Sequence, residues 1–218
     1  MSARSHTLVV AAAALLLLLP ALAVAGDKDE LEVVGFSDDA ALFAYWTYGV
    51  YDGSGFPHAE LNVVSTATGR KADAESKALT LEEAGEPKAA LEKLKAAQAK
   101  HLEALKFGRD KGAEMYKSGT ARATQFTVEG RTVEVKLDVR QGKVDEEKGT
   151  RDDSIGVRLV VGGKAQTVYQ GRGGWDYGLN AVRLSANHKS VAVLVKHSAP
   201  GFEGFNRRYL CGAGRIAR

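Results

Sequence analysis

The chain has 218 residues, with 30 Lys and Arg against 27 Asp and Glu, five histidines and a single cysteine. Near-balanced charge, mixed along the chain, argues against nucleic acid as a partner, and one cysteine excludes an intramolecular disulfide even in an oxidising compartment. Stability must come from a packed core, which a chain of this length is able to build.

Residues 1–25 read as a secretory signal peptide: Arg4 in a short polar start, an apolar run from Leu8 to Leu19, and Ala23-Val24-Ala25 ahead of cleavage before Gly26. The run stops at Pro20, short of the ~20 apolar residues that a spanning helix needs. No later stretch is apolar enough, so no transmembrane helix is expected in the mature chain. Cleavage removes Arg4 and leaves 29 basic against 27 acidic side chains, a net charge of +2. The expected location is secreted or periplasmic.

Residues 26–218 are expected to form one β-rich domain. Leu31, Val33 and Val34 lead into a turn at Ser37 to Ala40; Leu42 to Tyr51 is an aromatic, β-prone run; Asp52-Gly53-Ser54-Gly55 reverses the chain before Leu61 to Val64. The composition then shifts to Ala, Glu, Lys and Leu. A helical insertion is expected at about 76–107, with Pro87 suited to a first helical position and an apolar stripe of Leu91, Leu94, Leu102 and Leu105. Leu79 and Leu81 fit a shorter preceding helix or a strand. The stripe is best satisfied by packing on a sheet.

Arg109 to Thr120 reads as a polar linker. Phe126 and Val128, then Val133, Val135, Leu137 and Val139 alternating with polar residues, read as a hairpin about Glu129-Gly130. Gln141 to Asp153 reads as a charged loop. A second hairpin turns at Gly162-Gly163, and Gly171 to Gly178, carrying Trp175 and Tyr177, reads as a long turn. At one constant offset Leu184-Ser185-Ala186-Asn187 faces Phe36-Ser37-Asp38-Asp39, and Val191-Ala192-Val193 faces Phe43-Ala44-Tyr45, which suggests a duplicated unit. The fold class expected is mainly β (α+β): antiparallel sheets, as a sandwich or a partial propeller-like arrangement, with one long amphipathic helix after the third strand.

The block Tyr48-Gly49-Val50-Tyr51-Asp52-Gly53-Ser54-Gly55-Phe56-Pro57, with the turn Gly35-Phe36-Ser37-Asp38-Asp39, resembles a family of predicted secreted bacterial proteins known as a domain of unknown function. The resemblance implies export and a β-rich fold and carries no catalytic residues. Ala40 stands where the family pattern has Gly. The turn sequence also resembles blades of TolB-like and WD-type propellers, but too few strands are present for a full propeller.

Reactive constellations are sparse. His58 and Glu60 share a strand face and, with Asp52, are the candidate residues for a hydrolase. His101, His188 and His197 are isolated, and no zinc spacing occurs. Asp38, Asp39 and Asp52 are the carboxylates for a calcium site, although the ligand spacing of a calcium loop is absent. Trp46, Tyr48, Trp175 and Tyr177 are candidate binding aromatics for a sugar or peptide. Cys211 reads as a buried thiol, with pairing between chains as the alternative, and Arg207, Arg208, Arg215 and Arg218 read as a basic terminus. No cofactor is implied. The reading favours a non-catalytic exported module that binds an envelope component or another protein, ahead of a hydrolase or a calcium-stabilised structural module.

Overall fold

The computed structural model describes residues 27–147, 150–201 and 204–216; the segment read as a signal peptide lies outside them. In chain order the elements are β1 (Glu30–Phe36), β2 (Leu42–Val50), β3 (Pro57–Ser65), β4 (Lys77–Thr80), α1 (Pro87–Ala104), β5 (Ala113–Lys117), β6 (Ala123–Val128), β7 (Arg131–Arg140), β8 (Val144–Asp145), β9 (Thr150–Arg151), β10 (Asp153–Val161), β11 (Lys164–Leu184), β12 (Ser190–Pro200) and β13 (Phe205–Arg215). The fold is mainly antiparallel β with one helix, as the sequence leads one to expect.

The first four strands form an antiparallel meander in chain order. The second sheet runs β13-β12-β11-β10-β7-β6, with β5 beside the end of β11. Its curl comes from β11, whose first half pairs with β10 and whose second half pairs with β12. Gly171 to Gly178, expected as a long turn, is the middle of this strand. The pairing register shifts between Trp175 and Gly178 and again between Leu179 and Ala181. Glycine is therefore used for bulges where the strand changes partner, not for a reversal.

Alternation along the strands builds three apolar layers. From β2, Ala44, Trp46 and Tyr48 point toward α1 and pack with Leu61, Val63, Leu91 and Leu94. Phe43 and Tyr45 point the other way, onto Ala192, Leu194, Cys211 and Ala213 of the second sheet. The third layer fills the curl, where Val133, Val135, Val157, Leu159, Val191, Val193 and Val195 meet. β12 is thus buried on both faces, which explains its unbroken Val191-Ala192-Val193-Leu194-Val195 run. On β13, a methyl added at Gly214 would lie 2.5 Å from Val168 Cγ1, so glycine lets this strand close against the first half of β11.

The helix begins at Pro87, later than residue 76. Pro87 removes an N–H and disfavours helix in the residue before it. The preceding Lys77–Thr80 is β4 instead, paired with His58 to Leu61 on the edge of the first sheet. Ala90, Leu91 and Leu94 are the buried helix positions, and Leu102 packs at their margin; each buried leucine contributes roughly 1.5–3 kcal/mol. The expected linker at Arg109 to Thr120 contains β5, and the expected charged loop contains the ribbon β8–β9. These three strands are too short and polar to declare themselves by alternation. The two hairpins occur as expected, each turning on two residues of positive φ, Glu129-Gly130 and Gly162-Gly163.

The two serine turns carry the same hydrogen bonds. In the first, Ser37 Oγ donates to Asp39 Oδ1 at 2.7 Å, while Ser37 Oγ accepts from Leu42 N and Asp39 Oδ1 from Ala41 N, each at 3.0 Å. In the second, Ser185 Oγ donates to Asn187 Oδ1 at 2.8 Å, Ser185 Oγ accepts from Ser190 N and Asn187 Oδ1 from Lys189 N, each at 3.0 Å. Ala40 (φ 55°) and His188 (φ 56°) occupy the same left-handed place in each. The turns also interlock. Ser190 Oγ and Thr66 Oγ1 both donate to the Ala40 carbonyl, at 2.8 and 2.9 Å. Asp110 joins them from the side: its carbonyl accepts Phe36 N–H at 2.7 Å and its Oδ2 accepts Ala186 N–H at 2.7 Å.

Three outcomes are expected. Ser190→Ala and Thr66→Val each lower the free energy of unfolding in urea by about 1 kcal/mol, and the pair together by more than the sum, because only the double variant leaves the buried Ala40 carbonyl without either hydroxyl. His188→Gly stabilises by up to about 1 kcal/mol by relieving left-handed strain. Ala40→Gly is close to neutral, since the same relief is offset by losing a buried methyl of roughly 0.8 kcal/mol. The third outcome concerns pH. Asp153 is fully buried, and although burial acts to raise its pKa, its ion pair with Arg151 and the Gly142 N–H outweigh that and hold it below the usual carboxylate range. A lowered folded pKa stabilises above the unfolded value of about 3.9 and is lost as pH falls through the folded one. The destabilisation of Asp153→Asn, read from melting temperatures, is therefore largest at neutral pH and shrinks below about pH 4.

Candidate ligand cleft and its charged clasp

The apolar contact between the sheets does not run their full length. Phe36 and Phe43 fill one end, with ring centroids 4.9 Å apart, and Phe43 hands over to Tyr45 at 6.3 Å. Beyond Tyr45 the side chains facing the second sheet are Thr47, Asn62 and Glu60. Asn62 Nδ2 donates to Thr47 Oγ1 at 3.3 Å and to Glu60 Oε2 at 3.2 Å. Opposite them lie Cys211 and Tyr209 of β13 and Thr167 to Gln170 of β11. The result is a cleft of about 670 Å³, within the range of small-ligand sites.

One wall of the cleft is set by the connection between β3 and β4. Gly69 (φ 70°) lies so close to β11 that a Cβ there would sit 2.2 Å from the Val168 carbonyl oxygen. Arg70 and Lys71 follow it on the rim, and Lys71 Nζ pairs with Glu60 Oε1 at 3.2 Å. Tyr45, Tyr169 and Tyr209 supply the aromatic surface. Burial, first of all, raises the pKa of each phenol, so all three are neutral donors and acceptors at physiological pH. Burial likewise pushes the Cys211 thiol well above its usual range, and its Sγ donates to the Gly212 carbonyl. The thiol is buried, as read from sequence, and a raised pKa keeps it protonated. Among the described residues, the lining includes neither a carboxylate nor an imidazole.

A cluster of charge closes the neighbouring edge of the sandwich. Residues just before β1 run parallel to the start of β13: Arg207 N donates to Asp27 O at 2.8 Å and Asp29 N to Arg207 O at 3.2 Å. This brings Arg208 against two buried carboxylates. Its Nη1 donates to Asp29 Oδ1 at 2.9 Å and its Nη2 to Asp27 Oδ2 at 3.0 Å. His58 Nε2 lies 3.0 Å from the same Asp29 oxygen, and Tyr51 stacks on the imidazole at 4.1 Å. Desolvation, first of all, raises the Asp27 pKa, with Arg208 opposing and Asp29 adding to it. A methyl at Gly49 would meet Asp29 Oδ1 at 2.8 Å and Asp27 Oδ1 at 3.1 Å, so the glycine of the Tyr48-Gly49-Val50 block lets the carboxylates approach β2.

Asp27, Asp29 and His58 offer ligand atoms within 4.8 Å of one another, the spacing of a potential metal site. The compensating positive charge, however, already comes from Arg208, whose guanidinium is bonded to both carboxylates. The cluster acts as an ion-paired clasp between the first and last strands, and removing one partner of such a buried pair is costly. Arg207 and Arg208, read from sequence as part of a basic terminus, instead lie inside β13.

The residues singled out by sequence are placed as follows. His58 turns to Asp29, and Glu60 turns to Asn62 and Lys71, so the two do not converge as an acid/base pair. Asp52 lies in the β2–β3 turn, in a shallow depression shared with Asp27 and Tyr51. Asp38 and Asp39 are at the opposite end of β2, nine residues or about 30 Å away. Asp39 holds the serine turn, and Asp38 pairs with Arg109 at 3.6 Å. Trp46 and Tyr48 are buried beneath α1, where the Tyr48 hydroxyl donates to Glu30 Oε2 at 2.7 Å. Trp175 is half-buried on β11, and Tyr177 is buried in the curl, stacked on His197 at 5.1 Å. Trp46 and Tyr48 therefore lie in a different layer from Tyr177.

Sequence reasoning did not single out Asp27, Asp29, Tyr45 or Tyr169 as parts of any site. Asp27-Lys28-Asp29 did carry a usable sign, two carboxylates two residues apart at the start of a strand and so on one face. The cleft residues had none, being spread over four distant segments.

No helix among the described residues is long and apolar enough to cross a membrane. Comparison with curated proteins and with solved structures gives no match. The family described as "Predicted secreted protein (DUF2259)" matches residues 44–215, which include the Tyr48 to Pro57 block, both hairpins and the second serine turn. The chain therefore belongs to this family of predicted secreted proteins.

Proposed function

We propose that the protein is an exported, non-catalytic binding module whose ligand seat is the cleft between the two sheets, and that it takes a neutral, hydroxyl- and amide-rich saccharide of the cell envelope. The observation that carries this reading is the lining itself. A volume of about 670 Å³ combines tyrosine surface with the amides of Asn62 and Gln170, the hydroxyls of Thr68 and Thr167 and, on the rim, Arg70 and Lys71; the nearest carboxylate, Glu60, is tied to Lys71 and Asn62, and among the described residues the lining itself includes neither a carboxylate nor an imidazole. Acid–base and nucleophilic catalysis both need at least one such group placed near the ligand. Aromatic faces with a few oriented amides are suited to sugar rings and acetamido groups. Membership in a family of predicted secreted proteins supports an exported location, in which such ligands are met.

The test is calorimetric titration of the mature chain with a soluble N-acetylglucosamine oligomer. Saturable binding is expected. Tyr209→Ala or Gln170→Ala weakens it about tenfold, the equivalent of one lost stacking or hydrogen-bonding contact. Thr167→Trp, at an exposed lining position, fills the cleft and abolishes binding while the melting temperature stays unchanged. Undiminished binding in Thr167→Trp would place the ligand elsewhere, and hydrolysis of the oligomer by the wild type would reject the non-catalytic reading.

A further inference from the structure

A second concavity lies away from the inter-sheet cleft, where the bulged part of β11 meets the ends of β12 and β13. It has a volume of about 400 Å³. Three cations reach it from three separate parts of the chain: Arg122 from just before β6, Lys196 from β12 and Arg207 from β13. None of the three forms an ion pair among the described residues, although Arg207 is hydrogen-bonded to the Tyr209 side chain and Arg122 feels the Asp153 carboxylate, whereas the adjacent Arg208 is consumed by Asp27 and Asp29. Asp176 is the one carboxylate on the lining among the described residues. Lys196 Nζ lies beside Gly119, where an added methyl would come within 3.2 Å of it.

The formal charge of the concavity follows directly. Burial, first of all, holds His197 below the usual imidazole range, so it counts as neutral at pH 7. Three cations against Asp176 leave two positive charges, in a mature chain whose total is only +2. Charge of one sign is thus gathered in a concave site rather than dispersed, which focuses the field on a small anion. The hydroxyls of Thr120 and Ser198 add neutral donors, and the half-exposed ring of Phe205 forms an apolar rim. A phosphomonoester carries between one and a half and two negative charges at neutral pH, and offers acceptor oxygens in the number that these donors require.

We infer that Arg122, Lys196 and Arg207 form a binding site for the phosphoryl group of a phosphomonoester, outside the inter-sheet cleft. The phosphoryl group is held by charge-assisted hydrogen bonds from the three cations, and the organic part of the ligand lies toward Phe205. The source is either a soluble phosphate ester or a lipid headgroup with a terminal phosphate, since both present the same dianion.

The experiment is titration of the folded mature protein with inorganic phosphate at fixed ionic strength, followed by backbone amide shifts at Gly119, Thr120 and Ser198. Saturable shifts are expected with phosphate and not with chloride. Arg122→Glu weakens binding at least about tenfold, as expected for loss of one charged hydrogen-bond donor. Lys196→Gln, milder and at a strand position, weakens it in the same direction, while Arg70→Glu in the other cleft leaves it unchanged. Co-sedimentation with phosphatidic acid vesicles but not phosphatidylcholine vesicles, displaced by free phosphate and lost in Arg122→Glu, assigns a lipid source; saturable phosphate binding without sedimentation assigns a soluble one. Equal effects of phosphate and chloride, or phosphate affinity unchanged in both Arg122→Glu and Lys196→Gln, would overturn the inference.

Discussion

The structure turns on a single carbonyl. Ala40 sits at the head of the first serine turn, and its oxygen accepts hydroxyl protons from Thr66 on one side and Ser190 on the other. Through it, the β1–β2 reversal, the end of β3 and the start of β12 are held at one point in the core. A buried carbonyl with two committed donors is satisfied only when all three segments are in register. The stacking of the first sheet on the second, and the placing of Phe36 and Phe43 between them, depend on that agreement. The left-handed backbone at Ala40 is the strained part of the arrangement. Its methyl is buried in the inter-sheet layer.

At the other end the sheets are joined by charge instead of packing. Arg208 bridges Asp27 and Asp29, and His58 joins the same network from β3. Buried ion pairs add less to net stability than apolar contacts of the same size, but they tolerate no change of register. Between the apolar end and the charged edge the facing residues are polar or small, and the inter-sheet cleft opens there. The cleft is thus a consequence of how the sandwich is fastened: tight at the turns, clasped at the edge, and unfilled in between.

The second concavity has a different origin. It forms where β11 changes partner, and the bulges around Trp175 to Ala181 that permit the curl also pull the backbone away from β12. Cations from three segments meet there: Arg122 just precedes β6, Arg207 lies near the start of β13, and Lys196 sits within β12 opposite Gly178, next to the register shift. Both candidate sites thus sit at interruptions of regular pairing, while the regular parts of the molecule carry the core.

What the sequence determined by itself were the features with local causes. The two hairpins were legible because Glu129-Gly130 and Gly162-Gly163 set their own dihedrals, the helix because Pro87 and the leucine spacing act within a few turns, and the serine turns because Ser and Asx bond their own backbone. The correspondence of Ser37 with Ser185 was visible for the same reason, and the resemblance to the family was read from a continuous block around Gly49. Tertiary structure decided the rest. β4 and β5 exist only because an edge strand was available to pair with them, and Gly171 to Gly178 became strand because β11 spans two partners. Arg208 left the apparent basic terminus for a buried pair of aspartates about 180 residues earlier, an encounter that no local pattern announces. The clefts are decided in the same way: their linings come from segments far apart in the chain, and only the register of two sheets brings them to one surface.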